Sequence, residues 1–321
     1  MKYSILAAVL LFALCLQGCA SPVPAEPSAV PTTLPPETTA APTTIPTEPP
    51  TGWLEINGMR YYRFPDGTHA TGWFEDNGKT YYIAPNGFMH TGWLEQDGKT
   101  YYFKEDGTMA VGEIQIDGVN YHFTADGWRI ILVNPWNTVP EDYDPTLVEI
   151  PSGLAPQGVL VSQECYDALN AMLEACNADT PRAVVVSGHR THAYQEKLYK
   201  NKVSRVQAEG YSYEEALVEA AKVVAIPGTS EHQLGLAVDI VDTRDWSLEY
   251  YQADLPAQQW LMKNSWRFGF ILRYPEDKTA VTGIIYEPWH YRYVGKELAA
   301  YLYENDLTLE EYLQALTESA K

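Results

Sequence analysis

A twenty-residue repeat fills residues 51–130 and constrains the fold more than any other feature of the sequence. The first three copies share a Gly-Trp step, an Asn/Asp-Gly pair, a Tyr pair and a second Asn/Asp-Gly pair, in that order. Asn-Gly or Asp-Gly between short aromatic runs predicts a β-hairpin, because a type I′ turn needs positive φ at both central residues. One hairpin cannot bury its own aromatic face, whereas stacked copies can. Residues 52–130 therefore predict a β-hairpin repeat solenoid.

The repeat also places aromatic rings at regular positions, where they can hold a ligand. The candidate ligand-binding residues are Trp53, Trp73, Trp93, Tyr62, Tyr82 and Tyr102. The fourth copy lacks the Gly-Trp step and the Tyr pair, as terminal repeats do when they cap a stack. The structural alternative is that these rings only hold the copies together.

These repeats resemble cell-wall-binding repeats of the choline-binding type. In that family the residue before the Tyr pair is usually Trp, which completes an aromatic cage for a quaternary ammonium. Here the positions hold Arg60, Thr80 and Thr100. We therefore expect a cell-wall carbohydrate as the ligand, with a choline-like group as the alternative.

The N-terminus predicts export from the cytoplasm. The apolar run at 5–16 is short for a transmembrane helix and fits the core of a signal peptide. It ends in a Leu-Gln-Gly-Cys sequence that resembles the lipobox of bacterial lipoproteins, so we expect residues 1–19 to be a lipoprotein signal peptide and Cys19 to carry a lipid. An ordinary secretory signal is the alternative. Residues 20–51 hold ten Pro and eight Thr and predict a semi-rigid linker. The expected location is the outer face of the cell membrane, within reach of the wall.

Overall composition excludes two classes of protein. The chain has 22 Lys plus Arg against 42 Asp plus Glu, for a net charge of −20. Nucleic-acid binding needs clustered basic side chains, so this balance argues against it. Four Cys in 321 residues exclude a disulfide scaffold. Cys165 and Cys176 fall within one predicted helix and are expected to be buried small hydrophobes.

Residues 131–321 change character and predict a second domain. Helical periodicity covers 162–177, 192–208, 213–224 and 256–268, and strand-like runs cover 183–186, 236–241, 269–273 and 284–294. Helices and strands mix without regular alternation, which predicts an α+β domain.

Two short segments of this domain carry metal-ligating residue types. His232 precedes Asp239, which lies in an apolar strand where a carboxylate is costly unless something cationic meets it. Further along, Glu287 stands three residues before His290. Two His and one carboxylate form a zinc set that leaves a coordination position open, and the remaining Glu is available as a base. Taken singly, each residue also has an ordinary structural reading.

Strand geometry raises one difficulty for this site. In a regular strand, Glu287 and His290 would point to opposite faces, because their spacing is odd. Pro288 cannot donate to a strand ladder. We therefore expect a bulge or turn at 287–289.

The Ser-x-His-x6-Asp and Glu-x-x-His patterns, with Ser-Gly-His-Arg at 187–190, resemble the zinc D-Ala-D-Ala carboxypeptidases of the VanY type. The resemblance covers roughly 132–305 and implies an α+β zinc peptidase fold of the Hedgehog/D,D-peptidase type. It implies one Zn²⁺ held by His232, Asp239 and His290. It also implies Glu287 as general base and acid, Arg190 as the group that stabilises the scissile carbonyl, and Gln195 and Ser230 as substrate contacts.

Neighbours of these residues are secondary candidates. Trp289 is expected either to line the substrate cleft or to lie in the core beneath the sheet. Glu231 and Arg292 are candidates for contacts that support the metal ligands. Arg190 and Arg273 are the candidates for local positive charge towards an anionic substrate.

The predicted function is removal of C-terminal D-Ala from peptidoglycan stem peptides, with the repeats as wall-targeting modules and the lipid as membrane anchor. The sequence leaves D,D- and L,D-cleavage open. Two alternatives remain, namely an endopeptidase of related fold and a wall-binding adhesin with structural zinc. Glu287 argues against the adhesin, because a structural site has no use for an unligated carboxylate.

Overall fold

The computed structural model describes residues 50–141, 143–180 and 183–319. The predicted signal peptide, Cys19 and all but the last two residues of the predicted linker lie outside these ranges. No helix in the described part of the chain is long and apolar enough to cross a membrane.

The repeat region folds as the predicted hairpins. The first three hairpins are β1 (Gly52–Ile56) with β2 (Met59–Arg63), β3 (Gly72–Asp76) with β4 (Lys79–Ile83), and β5 (Gly92–Gln96) with β6 (Lys99–Phe103). The fourth is β7 (Gly112–Ile116) with β8 (Val119–Phe123), to which the short β9 (Arg129–Ile130) adds a third strand. In the first turn, Asn57 and Gly58 both have positive φ, at 52° and 79°. This is the I′ requirement that the Asn-Gly pair predicted.

Stacking between copies follows the repeat. The Trp53 ring lies 4.7 Å from that of Tyr81 in the next copy, centroid to centroid. The same step brings Trp73 to 4.8 Å from Tyr101, and the equivalent pair in the next copy lies at 4.9 Å. Each Trp thus buries part of its face on the following hairpin, which confirms the predicted solenoid.

The C-terminal domain is the predicted α+β fold. Its helices are α1 (Gln163–Asp179), α2 (His192–Ala208), α3 (Tyr213–Ala221), α4 (Pro256–Asn264), α5 (Thr279–Thr282), α6 (Lys296–Asn305) and α7 (Leu309–Ser319). Its strands are β10 (Leu147–Glu149), β11 (Leu160–Ser162), β12 (Ala183–Ser187), β13 (Ala237–Asp242), β14 (Phe270–Leu272) and β15 (His290–Tyr293). Four of them form an antiparallel sheet in the order β12-β13-β15-β14.

Several elements differ from the sequence prediction. The strand predicted over 284–294 is only β15, because a turn at Pro288 and Trp289 delays its start. The helix predicted over 256–268 ends at Asn264 and continues as a 3-10 turn. Helices α5, α6 and α7 and the short strands β10 and β11 have no counterpart in the sequence prediction.

Helix α7 packs against the end of the repeats and against the sheet of the C-terminal domain. Leu309 and Leu313 of α7 share one apolar cluster with Ile130 at the end of the repeats and Ile271 of the sheet. On the repeat side, the Tyr312 hydroxyl accepts a hydrogen bond from the Ala125 amide at 2.9 Å. The described part of the repeats and the C-terminal domain are therefore joined through a common core.

Candidate metal centre and cleft

The three predicted metal ligands come from neighbouring elements around β13. His232 lies in a 3-10 turn, Glu231–Leu234, just before the strand, and Asp239 lies within the strand. His290 is the first residue of β15 and pairs directly with Asp239 across the two strands. Antiparallel partners on one face lie close together, which brings two ligands into contact.

The three side chains converge in the interior. All three are buried, and one ligand atom from each lies within 4.8 Å of the others. His232 Nε2 is 3.2 Å from Asp239 Oδ2, and His290 Nδ1 is 3.3 Å from Asp239 Oδ1.

The backbone fixes the orientation of His232. Its Nδ1 lies 2.8 Å from the Gly188 carbonyl oxygen, so Nδ1 donates and Nε2 keeps a lone pair towards Asp239. Residue 188 has no room for a Cβ, which would collide with the Leu160 carbonyl. The absence of a side chain at Gly188 thus lets the Gly188 carbonyl oxygen reach the His232 imidazole.

The donor set fits a zinc ion. Asp239 Oδ1 is fully buried and has no hydrogen-bond partner among the described residues. Buried polar atoms rarely stay unpaired without a missing ligand, water or ion. Two imidazole nitrogens and one carboxylate are also the three-ligand set of catalytic zinc sites.

Charges around the site set its protonation. Although burial opposes the change, His232 and Arg190 hold the pKa of Asp239 well below its usual range. Burial, reinforced by Arg190, lowers the pKa of His232 to about 4. At neutral pH these two residues therefore have the ligating forms, a carboxylate and a neutral imidazole.

Glu287 reaches the same centre through the expected turn. The His290 amide donates to the Glu287 carbonyl oxygen at 3.1 Å, so Pro288 and Trp289 form the corner. This turn brings Glu287 Oε2 to 3.5 Å from His290 Nδ1. Burial, reinforced by Asp239, raises the pKa of Glu287 to about 8, against the opposing charges of His290 and Arg190.

A cleft with a volume of about 280 Å³ opens onto this centre. Its lining includes all three candidate ligands, Glu287, and the predicted residues Arg190, Ser230 and Trp289. Of the two alternatives for Trp289, the structure favours the cleft, which it lines with only 6% of its surface exposed.

Arg190 is held in a fixed place at the end of β12. Its Nε donates to Ser187 Oγ at 3.0 Å, and its Nη2 donates to Asp239 Oδ2 at 2.5 Å. The guanidinium therefore lies beside the candidate ligands and lines the cleft.

Gln195 lies behind the cleft wall. Its side chain is fully buried and does not line the cleft. Its Nε2 donates a hydrogen bond to the carbonyl oxygen of Ala225 at 2.8 Å, and Ala225 does line the cleft. Its Oε1 is buried without a partner among the described residues. In this structure Gln195 therefore shapes the cleft through the backbone at Ala225 and makes no direct approach to it.

Besides Arg190, two residues that the sequence analysis did not single out bring positive charge to the cleft. Arg273, the sequence candidate, is buried and binds Glu231 and Glu310 instead. The cleft is lined by Lys202 and Arg205, one turn apart on α2. Neither forms an ion pair among the described residues. The ion pair found on α2 joins Lys200 and Glu196 instead. Their charge alone gave no signal, because charged residues on a helix are usually solvated.

In the repeats, arginines of the chain itself cover some of the aromatic faces. The Arg60 guanidinium lies 4.7 Å from the centroid of the Trp53 ring. Arg129, which the sequence did not single out, lies 4.8 Å from Tyr121 and 5.9 Å from Trp93. Trp73 is 41% exposed and has no such cation among the described residues.

Comparison with known proteins agrees with this geometry. The family model for D-alanyl-D-alanine carboxypeptidase (VanY) matches residues 158–296. A choline-binding repeat model matches 90–128, and a cell-wall-binding repeat model matches 51–68 and 71–89.

Two curated relatives match the C-terminal domain. A D-alanyl-D-alanine carboxypeptidase of Enterococcus faecalis is 44% identical over 186 residues, a match that covers 58% of this chain and 66% of that relative. The chain thus spans about two thirds of its length. A bifunctional D-Ala-D-Ala dipeptidase and carboxypeptidase of Enterococcus gallinarum, VanXYC, is 38% identical over 142 residues, covering 43% of this chain and 69% of the relative.

Solved structures add the metal and the fold. A point mutant of a vancomycin-resistance D,D-pentapeptidase VanY in complex with Zn(II) is 43% identical, with a TM-score of 0.51. The match covers 57% of this chain and 97% of that one. The LD-carboxypeptidase LdcB is 33% identical, also with a TM-score of 0.51, covering 64% of this chain and 94% of that one. The chain belongs to the VanY family of zinc-dependent D-alanyl-D-alanine carboxypeptidases, and it carries cell-wall-binding repeats ahead of the family domain.

Proposed function

We propose that this chain removes the C-terminal D-Ala from peptidoglycan stem peptides that end in D-Ala-D-Ala. The observation that carries the proposal is the meeting of His232, Asp239 and His290 within 4.8 Å, with Glu287 beside them, in a cleft open to a peptide. The name of the Enterococcus faecalis relative supports the D,D-reaction.

His232 Nε2, His290 Nδ1 and the Asp239 carboxylate would hold the zinc ion. Zinc supplies Lewis acidity to such a site, making water nucleophilic at neutral pH and polarising a carbonyl oxygen. Glu287 takes the proton from the attacking water as the new C–O bond forms, then delivers it to the D-Ala nitrogen as the C–N bond breaks. Burial raises the pKa of Glu287, which suits the proton-donating half of this role, and the positive charge of a bound zinc ion would favour the ionised form that the first half needs.

The other cleft residues would stabilise and orient the peptide. Arg190, fixed by Ser187, would stabilise the negative charge that develops on the scissile carbonyl oxygen. Ser230 and Trp289 would contact the substrate, since both line the cleft. Gln195 would act indirectly, by holding the cleft wall at Ala225.

We propose a wall carbohydrate as the ligand of the repeats. Arg60 already covers the Trp53 ring and Arg129 the Tyr121 ring, where a quaternary ammonium would bind. Trp73 remains 41% exposed with no such cation among the described residues, so its ring can stack on a sugar ring.

We further propose that the enzyme is an extracytoplasmic lipoprotein. Cys19 at the end of a lipobox-like sequence supports a lipid anchor, and the Pro/Thr-rich linker supports reach towards the wall. Labelling of cells with a clickable palmitate analogue tests this. Cys19→Ser should abolish the label, and a label that persists in this variant would contradict the proposal.

The decisive experiment measures D-Ala release from purified muropeptides by the full chain. Penta- and tetrapeptide stems are compared with and without a chelator, alongside Glu287→Gln. We expect zinc-dependent loss of one D-Ala from the pentapeptide and none from the tetrapeptide. Glu287→Gln should be inactive but keep its zinc. Measuring its zinc content therefore shows whether activity is lost with the base or with the metal.

Other outcomes select the alternatives. D-Ala release from the tetrapeptide alone would make the enzyme an L,D-carboxypeptidase. Cleavage within the stem would make it an endopeptidase. A zinc-loaded protein that binds walls and cleaves neither stem would favour the adhesin.

A further inference from the structure

A buried carboxylate lies directly behind the candidate metal centre. Glu231, one residue before His232, has a fully buried side chain. Its Oε1 accepts hydrogen bonds from Arg273 Nε at 2.8 Å and from Arg292 Nη1 at 2.9 Å. Two guanidinium groups therefore hold one oxygen of this carboxylate in place.

The other oxygen of Glu231 faces a candidate ligand. Oε2 lies 3.6 Å from His290 Nε2, and both atoms are buried without a hydrogen-bond partner among the described residues. His290 presents Nδ1 to Asp239, so Nε2 must carry the ring proton when Nδ1 binds a metal. Glu231 Oε2 is placed to accept a hydrogen bond from that N–H, as the Gly188 carbonyl oxygen does from His232 Nδ1.

The arginine behind Glu231 is held by the C-terminal helix. Arg273 donates from Nη1 and Nη2 to the two carboxylate oxygens of Glu310, at 2.8 and 2.6 Å. Asn134 Nδ2 donates to Glu310 Oε1 at 3.0 Å, which fixes this carboxylate from its other side. Glu310 lies on α7, beyond the residues that the VanY family model matches.

We propose that Glu231 and Glu310 are positioning residues for the metal ligand His290. Glu310 fixes the fork of Arg273, Arg273 fixes Glu231, and Glu231 sets the ring orientation of His290. Partners of this kind orient metal-binding imidazoles and increase their basicity. The inference rests on the proposed function, because it takes His290 as a zinc ligand.

Zinc affinity is the primary test. The zinc dissociation constant of the full chain is measured by competition with a chromophoric chelator, for the unaltered protein, Glu231→Gln and Glu310→Gln. We expect Glu231→Gln to weaken zinc binding roughly 10–100-fold. Glu310→Gln, one contact further away, should weaken it roughly 2–30-fold.

Glu311→Gln is the matched control. Glu311 is the next residue on α7 and pairs with Lys278 at 2.9 Å, outside this series of contacts. Its variant loses a more exposed ion pair of the same helix, away from Arg273, so we expect unchanged zinc affinity. Equal weakening in Glu310→Gln and Glu311→Gln would reduce the role of Glu310 to helix stability and overturn the proposal.

A double variant tests the order of contacts. If Glu310 acts through Glu231, then Glu231→Gln/Glu310→Gln binds zinc no more weakly than Glu231→Gln alone. Independent, additive losses would contradict this coupling. Should Glu231→Gln fail to fold, Glu310→Gln still decides the matter, because the Glu310 side chain is at the edge of the core and 12% exposed.

Cobalt(II) loading and activity complete the test. A changed ligand orientation should alter the visible spectrum of the cobalt form in Glu310→Gln and not in Glu311→Gln. If the unaltered chain releases no D-Ala while Glu310→Gln still weakens zinc binding, the proposed function fails and this inference stands. If His290→Ala leaves zinc affinity unchanged, the inference fails whatever the activity.

Discussion

Asp239 and His290 are direct partners across β13 and β15, and their side chains meet with Oδ1 3.3 Å from Nδ1. Neither atom belongs to a loop, so the sheet itself sets this separation. We expect Asp239→Ala and His290→Ala each to abolish stoichiometric zinc binding, measured by elemental analysis after gel filtration. Glu287→Gln should keep its zinc. A full equivalent of zinc in His290→Ala would contradict the assignment.

Arg190→Lys should lower kcat about 10²-fold, because an ammonium cannot keep the guanidinium contact to Ser187 and still reach a developing oxyanion. KM should change much less. Steady-state kinetics on a pentapeptide stem provide the measurement. The control is Arg244→Lys, since Arg244 pairs with Asp242 of β13 but does not line the cleft. A matching loss of kcat in that control would point to a fold defect.

Lys202 and Arg205 should attract the carboxylates of the stem peptide. With both changed to Met, we expect KM to rise several-fold with kcat little affected, because the cleft loses its unpaired cations in a chain of net charge −20. The difference from the unaltered enzyme should shrink at high ionic strength. Lys197→Met, an exposed change on the same helix, is the control. A salt-independent rise in KM would argue for a steric cause.

The two helix α1 thiols should be inert in the folded protein. Burial raises the pKa of the Cys165 thiol to about 12 and that of Cys176 to about 11. We expect neither to react with iodoacetamide at pH 8 until a denaturant is added, with peptide mass spectrometry assigning the label to each Cys. Rapid labelling of either residue in the folded state would contradict the prediction.

The same thiols imply an alkaline loss of stability. Their folded pKa values exceed the ordinary thiol value of about 8.5, so the unfolded chain releases these protons first. Their stabilising contribution is complete below that value and is lost as the pH rises towards 11 and 12. Between pH 8 and 10, the free energy of unfolding, measured with a denaturant, should fall less steeply with pH in Cys165→Ala than in the unaltered protein. An unchanged slope would exclude a contribution from Cys165.

Trp73 should contribute more to wall binding than Trp53. Trp73 is exposed, whereas Arg60 covers the Trp53 ring. Sedimentation with purified walls should show the larger loss for Trp73→Ala, and free choline should not displace the unaltered chain. Displacement by choline would make the cation site functional in spite of Arg60.

Local chemistry made much of this molecule predictable. The Asn-Gly and Asp-Gly pairs specify their turns through backbone sterics alone, so the hairpins follow from the sequence. The turn before His290 follows from Pro288 and from the odd spacing to Glu287. The position of Gly188 could not be read this way, because its reason is the Leu160 carbonyl in a distant strand.

Long-range pairing explains what the sequence did not reveal. The partners of Arg273 lie 42 and 37 residues away, and nothing local marks Glu310 as one of them. Helix α7 did carry a periodic signal, with Leu309, Tyr312 and Leu313 on one buried face. The sequence could not show that this face would meet the repeats.

Helix α7 has a consequence for how the enzyme would work on a polymer. Its apolar face belongs at once to the end of the repeats and to the sheet that carries β15. A shared core leaves no free hinge at this junction. When the repeats are bound to the wall, the cleft therefore lies at a fixed distance from the bound site. We expect this distance to determine which stem peptides along the glycan the cleft can contact.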